Sequence, residues 1–281
     1  MKNINSLKGS FIALLFFAVI INFIPKITYE NEIKTVLTVT TFIFATLSGF
    51  FSSRLHKRYN KIRYYTASED AEWLSIYFQS KLLSAKTNKQ FAELIDEYLR
   101  IALDYDLGEY YSHNAHLYAN AYEILNQNKS KDHDKIAVKE VILKNLKKIE
   151  YYRNNSSVLY REKVNIGQWA VLTLLASIIV FSLFVLTGET IVVKIVTVLL
   201  ASCLVMVLLL MRDLQKLTLE DPVPLLESAQ EVFKFIGKPS YYHHSYFNLK
   251  QVKKPKSKNV RVGYHQPGQK SKIKLINTDK K

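Results

Sequence analysis

A single cysteine, Cys203, stands in the whole chain, so no disulfide framework and no cysteine-built zinc site can form within it. Proline is missing from Lys26 to Asp221, and the chain holds only eight glycines, so little in its long middle breaks a helix. No Gly-rich phosphate loop, nucleophile elbow or paired His-Glu zinc helix occurs. These absences exclude a disulfide-stapled scaffold and leave the common enzyme signatures unrepresented; no enzyme activity, cofactor or metal is expected.

Charge is also missing, but only locally. Of the 281 residues 48% are hydrophobic and the formal net charge is +15, yet mean hydropathy is −0.02. That balance hides a segregation. The apolar residues gather in four blocks, Gly9 to Pro25, Lys34 to Ser52, Gln168 to Thr187 and Thr190 to Met211. Each has about the length a helix needs to cross a hydrocarbon core of about 30 Å. The first block, preceded by Lys2 and Lys8, also has the outline of a signal peptide, but no small-x-small cleavage site follows it and a retained span is expected.

Orientation follows from the cations beside the spans. The loop Lys26 to Lys34 offsets two lysines with Glu30 and Glu32, and Thr187-Gly188-Glu189 has no cation. The other side carries Arg54, Lys57, Arg58, Lys61 and Arg63, then Lys144, Lys147, Lys148, Arg153, Arg161 and Lys163, then Arg212 and Lys216. The positive-inside rule puts both termini and the middle segment in the cytoplasm of a multi-pass plasma-membrane protein. The run Arg54, Lys57, Arg58, Lys61 and Arg63 is read as the inner stop of the second span, binding anionic lipid headgroups; its interleaved tyrosines leave nucleic acid as the minority reading.

The expected fold is all-α, with four transmembrane helices and a helical cytoplasmic domain between spans 2 and 3. The divisions are 1–52 (spans about 9–25 and 34–52), 53–166 cytoplasmic, 167–211 (spans about 168–187 and 190–211), 212–249 a cytoplasmic helix and loop, and 250–281 a basic disordered tail. One helix should run from the second span to about Ser84, followed by helices over about 88–107 and 109–128. Another should start near Asp132 and lead to span 3, with a break near Asn154-Asn155-Ser156. After the fourth span, Asp221-Pro222 reads as a helix entry and Gly237-Lys238-Pro239 as its stop. Ten lysines and Arg261 against Asp279 dominate the tail from Lys250, which has too few large apolar residues to fold by itself.

Within span 2, Thr38, Thr41, Ala45, Ser48 and Ser52 recur every three or four residues as one small, polar stripe, while Val36, Ile43, Leu47 and Phe50 face elsewhere. Such a stripe either packs against a neighbouring helix or lines a wet conduit, with Phe42, Phe44 or Phe51 as a hydrophobic constriction. Lys194, one turn inside span 4, is either an anion contact at the outer mouth or a snorkelling cation beside Glu189. Glu69, Asp70 and Glu72 read as a solvated face, as ion pairs with Lys61 or Arg63, or as a metal or substrate site. Glu109, His113 and His116 share a helical face at metal-like spacing, but surface histidines are commoner; His243-His244 is weaker still.

Two spans, SRLHKRYN, the helix ASEDAEWLSIYFQSKLL, the helix FAELIDEYLRIALDY, two more spans and an LTLEDP exit together resemble the bestrophin-like domain family of bacterial membrane proteins. The likeness covers about residues 10 to 240. It implies a distant relation to pentameric anion channels in which the second span lines the pore. Only Glu220 and Asp221 stand where those channels carry a calcium-binding acidic cluster. The expected function is an oligomeric channel for small anions such as chloride. The alternative is a non-conducting membrane scaffold whose cytoplasmic helices and basic tail bind a partner, anionic lipid or nucleic acid.

Overall fold

A computed structural model describes residues 6–23, 30–105, 107–128, 132–188, 190–217, 223–247, 259–264 and 272–277. The chain divides into two compact units, Met1–Tyr59 with Lys163–Glu220, and Asn60–Glu162 with Asp221–Lys281. The elements are α1 (Ser6–Ile20), α2 (Glu30–Leu83), α3 (Ala85–Asp104), α4 (Tyr110–Gln127), α5 (His133–Arg161), α6 (Ile166–Val185), α7 (Ile191–Gln215), α8 (Val223–Phe235), β1 (Tyr241–His243), α9 (His244–Phe247), β2 (Asn259–Tyr264) and β3 (Lys272–Asn277).

The first unit holds α1, the first half of α2, α6 and α7. α2, α6 and α7 are long and apolar enough to cross a membrane. α1 is apolar too, but its 15 residues reach about 22 Å, short of a hydrocarbon core of about 30 Å. Its expected boundary at Pro25 lies outside the described residues. Inside this unit, Phe44, Phe51, Leu55 and Tyr59 of α2 pack with Leu172, Ala176 and Ile179 of α6 and with Met211 and Leu214 of α7. Gln215 staples the base of that core: its side-chain oxygen accepts from the Val164 amide at 3.2 Å and from Trp169 Nε1 at 3.0 Å. α1 lies along α7, and the Ser6 amide donates to Asp213 Oδ2 at 3.0 Å.

The second unit is built from the rest of α2, α3 to α5, α8 and a small sheet. Its core contains Trp73, Phe91, Ile95, Tyr98, Leu146, Ile149, Phe233 and Tyr241. The helix ends have local causes. Ser84 caps α3 by accepting from the Thr87 amide at 3.0 Å, and Asp132 caps α5 by accepting from the Asp134 amide at 3.2 Å. Gly237, at φ 74°, ends α8 in a Schellman motif: its N–H bonds to Lys234 O, and the Lys238 N–H to Phe233 O. The expected entry at Asp221-Pro222 lies outside the described residues.

Two expectations fail. α5 runs unbroken through Asn154-Asn155-Ser156, where Asn155 Nδ2 bonds back to Tyr151 O and Ser156 Oγ to Arg153 O, so these side chains are satisfied inside the helix. The chain breaks instead before Asn165, whose capping box with Gln168 starts α6. The second correction concerns 250–281, expected as a disordered tail: it contributes β2 and β3 to a sheet of order β1-β2-β3, β2 parallel to β1 and antiparallel to β3. Arg261 forks onto Asp96 of α3 through Nη1 to Oδ2 at 2.9 Å and Nη2 to Oδ1 at 2.6 Å, so the helices supply the partner that the tail lacks.

Candidate functional site

The small stripe of α2 is not turned into its own unit. The face that packs inward is Thr40, Phe44, Ser48, Phe51 and Leu55, all buried. Thr38, Thr41 and Ala45 lie beside that face and stay exposed, Ser52 is half-buried, and Phe42 is 73% exposed. Ser48 alone of the stripe is enclosed, and its hydroxyl bonds to Ala45 O at 3.2 Å. Thr38 satisfies its hydroxyl on Lys34 O at 2.9 Å. Of the three candidate constriction rings, Phe44 and Phe51 are buried among α6 and α7, which leaves Phe42 as the outward one.

The basic run divides in the same way. Arg54, Lys57 and Lys61 are exposed and Arg63 is half-buried. Arg58 is the exception among the expected headgroup ligands: it is buried, and its Nη1 donates to the Gln215 carbonyl at 3.0 Å. It satisfies an orphan carbonyl at the C-terminus of α7, where the helix dipole favours a cation. Lys194 is half-buried in the first turn of α7.

The densest polar site belongs to the second unit and turns inward. Glu69 and Asp70, adjacent on α2, are both buried rather than solvated. Glu69 Oε1 accepts from Tyr98 Oη of α3 at 2.6 Å, and Oε2 accepts from Tyr110 Oη of α4 at 2.9 Å. Ser156 Oγ of α5 lies 3.4 Å from the same Tyr110 hydroxyl. Burial pushes the Glu69 carboxyl up to about 7, against the opposing pull of both phenols and of the Arg153 charge. Asp70 is pushed up to about 8, again by burial first, while its 2.5 Å bond from Ser228 Oγ of α8 works the other way and the neighbouring Glu69 charge adds to the rise. Burial, then the Glu69 charge, raises Tyr98 and Tyr110 well above the usual phenol range. The arrangement bonds α3 and α4 directly to a carboxylate of α2, and α5 reaches it through the Tyr110 hydroxyl.

Glu72 lies outside this centre and meets Lys148 Nζ at 2.9 Å. Glu109, His113 and His116 are exposed, and His113 stacks on Tyr105 at 3.8 Å instead of facing a ligand set. Among the described residues no group of three His, Cys, Asp or Glu could hold a metal ion.

The Glu69–Tyr98 bond joins the helical segments ASEDAEWLSIYFQSKLL and FAELIDEYLRIALDY. The family model of the Bestrophin-like domain matches residues 10–222, which takes in the α2 stripe, the basic run, Glu69, Tyr98 and Tyr110. No curated protein and no solved structure matches the chain.

Proposed function

The chain belongs to the bestrophin-like domain family, and from that premise we propose that it is a multi-pass protein of the plasma membrane that assembles into a homo-oligomer conducting small anions such as chloride. α2, α6 and α7 form three spans and the apolar block Gly9 to Pro25, which extends past the end of α1, forms the fourth; both termini and residues 53–166 face the cytoplasm, and Glu30 and Gly188 face out. Arg54, Lys57, Lys61 and Arg63 meet anionic headgroups at the inner surface, and Lys194 attracts anions at the outer mouth.

One observation carries this reading. Thr38, Thr41 and Ala45 remain exposed on an otherwise apolar helix whose neighbouring face is already filled. In a bilayer that stripe meets lipid unless water or a second copy covers it. Close copies arranged around α2 bring the stripe to an axis, with Phe42 as the hydrophobic narrowing.

Flux of chloride into liposomes containing the purified oligomer tests this. Chloride should enter, Thr41→Leu should reduce the flux, and cysteines along the stripe in a Cys203→Ser background should react with small charged reagents while those at Val36 and Ile43 stay protected. Absent flux, protected stripe cysteines and loss of the oligomer on Ala45→Leu, a change at an exposed position of the stripe, would overturn the channel and establish a packing face, as the scaffold alternative requires.

A further inference from the structure

The C-terminal sheet is fixed firmly along β1 and β2. Beyond the fork onto Asp96, Arg261 Nε donates to Pro239 O at 2.9 Å, and its guanidinium stacks over Phe233. Tyr241 Oη reaches Asp104 Oδ1 at 2.6 Å by passing over Gly263, where any β-carbon would strike the tyrosine hydroxyl. Gln230 clamps the Tyr241 backbone from both sides.

The far edge is different. Among the described residues β3 pairs only with β2, so its other side presents backbone N–H and C=O groups ready to pair. Side chains of β3 alternate between the two faces of the sheet. Lys272, Lys274 and Ile276 share the face of Tyr264, Val262 and Val260, their partners in register. Ile273 and Leu275 share the face of Gly263 and Arg261, and they are 39% and 67% exposed. The edge therefore offers a row of cations on one face and a row of uncovered apolar side chains on the other.

We propose that the free edge of β3 is a docking strand for an extended segment of another protein in which acidic and apolar residues alternate. A strand added to this edge sets its own residues in turn opposite Lys272 and Lys274 and opposite Ile273 and Leu275, so acid and apolar residues must fall at every second position. The ten lysines from Lys250 onward, against the single Asp279, draw an acidic partner before contact. They also weigh against a second copy of β3: antiparallel pairing centred on Ile273 or Lys274 sets lysines opposite each other, and any pairing brings two strongly basic tails together. The repulsion that protects this edge from self-association is what selects its guest.

The test uses the full chain in detergent and a fluorescent synthetic octapeptide of alternating glutamate and valine, read by anisotropy. The peptide should bind saturably, and Lys272→Glu with Lys274→Glu should weaken it by about tenfold, two reversed cross-strand charge pairs. Methylating every backbone nitrogen of the peptide should abolish binding, since strand addition needs the N–H groups of one edge or the other. Undiminished binding of the methylated peptide, or equal binding of an alternating lysine–valine peptide, would overturn the proposal. Binding to acidic phosphatidylserine vesicles with none to the peptide would reassign the edge to lipid, and concentration-dependent self-association lost in Leu275→Glu would reassign it to a second copy. None of these results depends on whether the protein conducts.

Discussion

In the unit that holds α1, α6 and α7, Leu174 and Phe181 lie 63% and 58% exposed while Ser182, Ser202 and Asp213 are buried. In the unit that holds α3 to α5 the large apolar side chains Trp73, Phe91, Ile95 and Tyr98 are enclosed completely. Each unit hydrogen-bonds some of the polar groups that it buries, though Trp73 Nε1 and Asn114 Oδ1 of the second have no hydrogen-bond partner among the described residues. Ser202 Oγ donates to Val198 O at 2.7 Å in the first, and Glu69 accepts from Tyr98 and Tyr110 in the second. The difference teaches what each face meets. A core driven by the expulsion of water needs its apolar residues inside, whereas helices bathed in hydrocarbon gain nothing by hiding them and are held by close packing and local bonds.

The largest effect is expected from breaking the buried fork in the second unit. Asp96→Ala leaves the Arg261 guanidinium buried without its carboxylate, and such a loss costs about 3–5 kcal/mol. Unfolding followed by Trp73 emission in a Trp169→Phe background would read that unit alone. Replacing both partners by Asp96→Leu and Arg261→Met should recover much of the loss, because no unpaired charge then remains. An Asp96→Ala variant as stable as its parent would show that the fork does not hold the C-terminal sheet.

Next in size is a single lysine placed on the apolar surface of the first unit. At a water-exposed site such a change stays within about 0.5 kcal/mol, but at the centre of a span it costs about 2.5–3.5 kcal/mol. Leu174→Lys, in the middle of α6, should therefore reduce the yield of inserted protein in the membrane fraction. Val141→Lys, on α5 and 41% exposed, should leave it unchanged. Equal behaviour of the two would erase the contrast between the units.

A smaller and graded effect comes from the buried carboxylates. The folded values of Glu69 and Asp70, about 7 and about 8, stand above their ordinary values of 4.5 and 3.8. The folded state therefore holds protons that the unfolded chain has released. Their contribution is complete below about pH 4 and is lost as pH rises through 7 for Glu69 and 8 for Asp70. Glu69→Gln should flatten the fall in stability between pH 5 and 7, and Asp70→Asn should flatten it between pH 5 and 8. Unchanged slopes in both variants would mean that these carboxylates titrate normally.

Much of the architecture is legible from the sequence, and the misses share a cause. α2 can be read as continuing to Leu83 because no proline interrupts it and the only glycine, Gly49, lies far from the end. Arg58 was grouped with its exposed neighbours, although Phe51, Leu55, Tyr59 and Ile62 mark the inward stripe beside it. The burial of Glu69 and Asp70 gives no periodic signal, since it depends on Tyr98, Tyr110 and Ser228 from three other helices. The strands NVRVGY and KIKLIN do carry the two-residue alternation of sheet, but the charge of the surrounding segment outweighed it. What sequence hides is tertiary: which side of a polar run meets a partner from elsewhere in the chain.

The smallest effect compares one glycine from each unit, both with open space where a β-carbon would stand. Gly237, at φ 74°, closes α8 in a conformation that only glycine adopts without strain, so Gly237→Ala should cost about 1 kcal/mol, and Gly237→Asn less. Gly49 lies in the helical interior of α2, where Gly49→Ala should instead stabilise the isolated chain by about 0.5–1 kcal/mol through lost freedom of the unfolded backbone. The same added methyl group thus acts with opposite sign in the two units. Gly49 stands near Ala45 and Ser52 on the outward side of α2, so a second copy packed there would turn the gain into a loss: Gly49→Ala would then weaken the oligomer on a sizing column while leaving each subunit folded. A variant that is both more stable and fully assembled would place the contact between copies elsewhere on the helix.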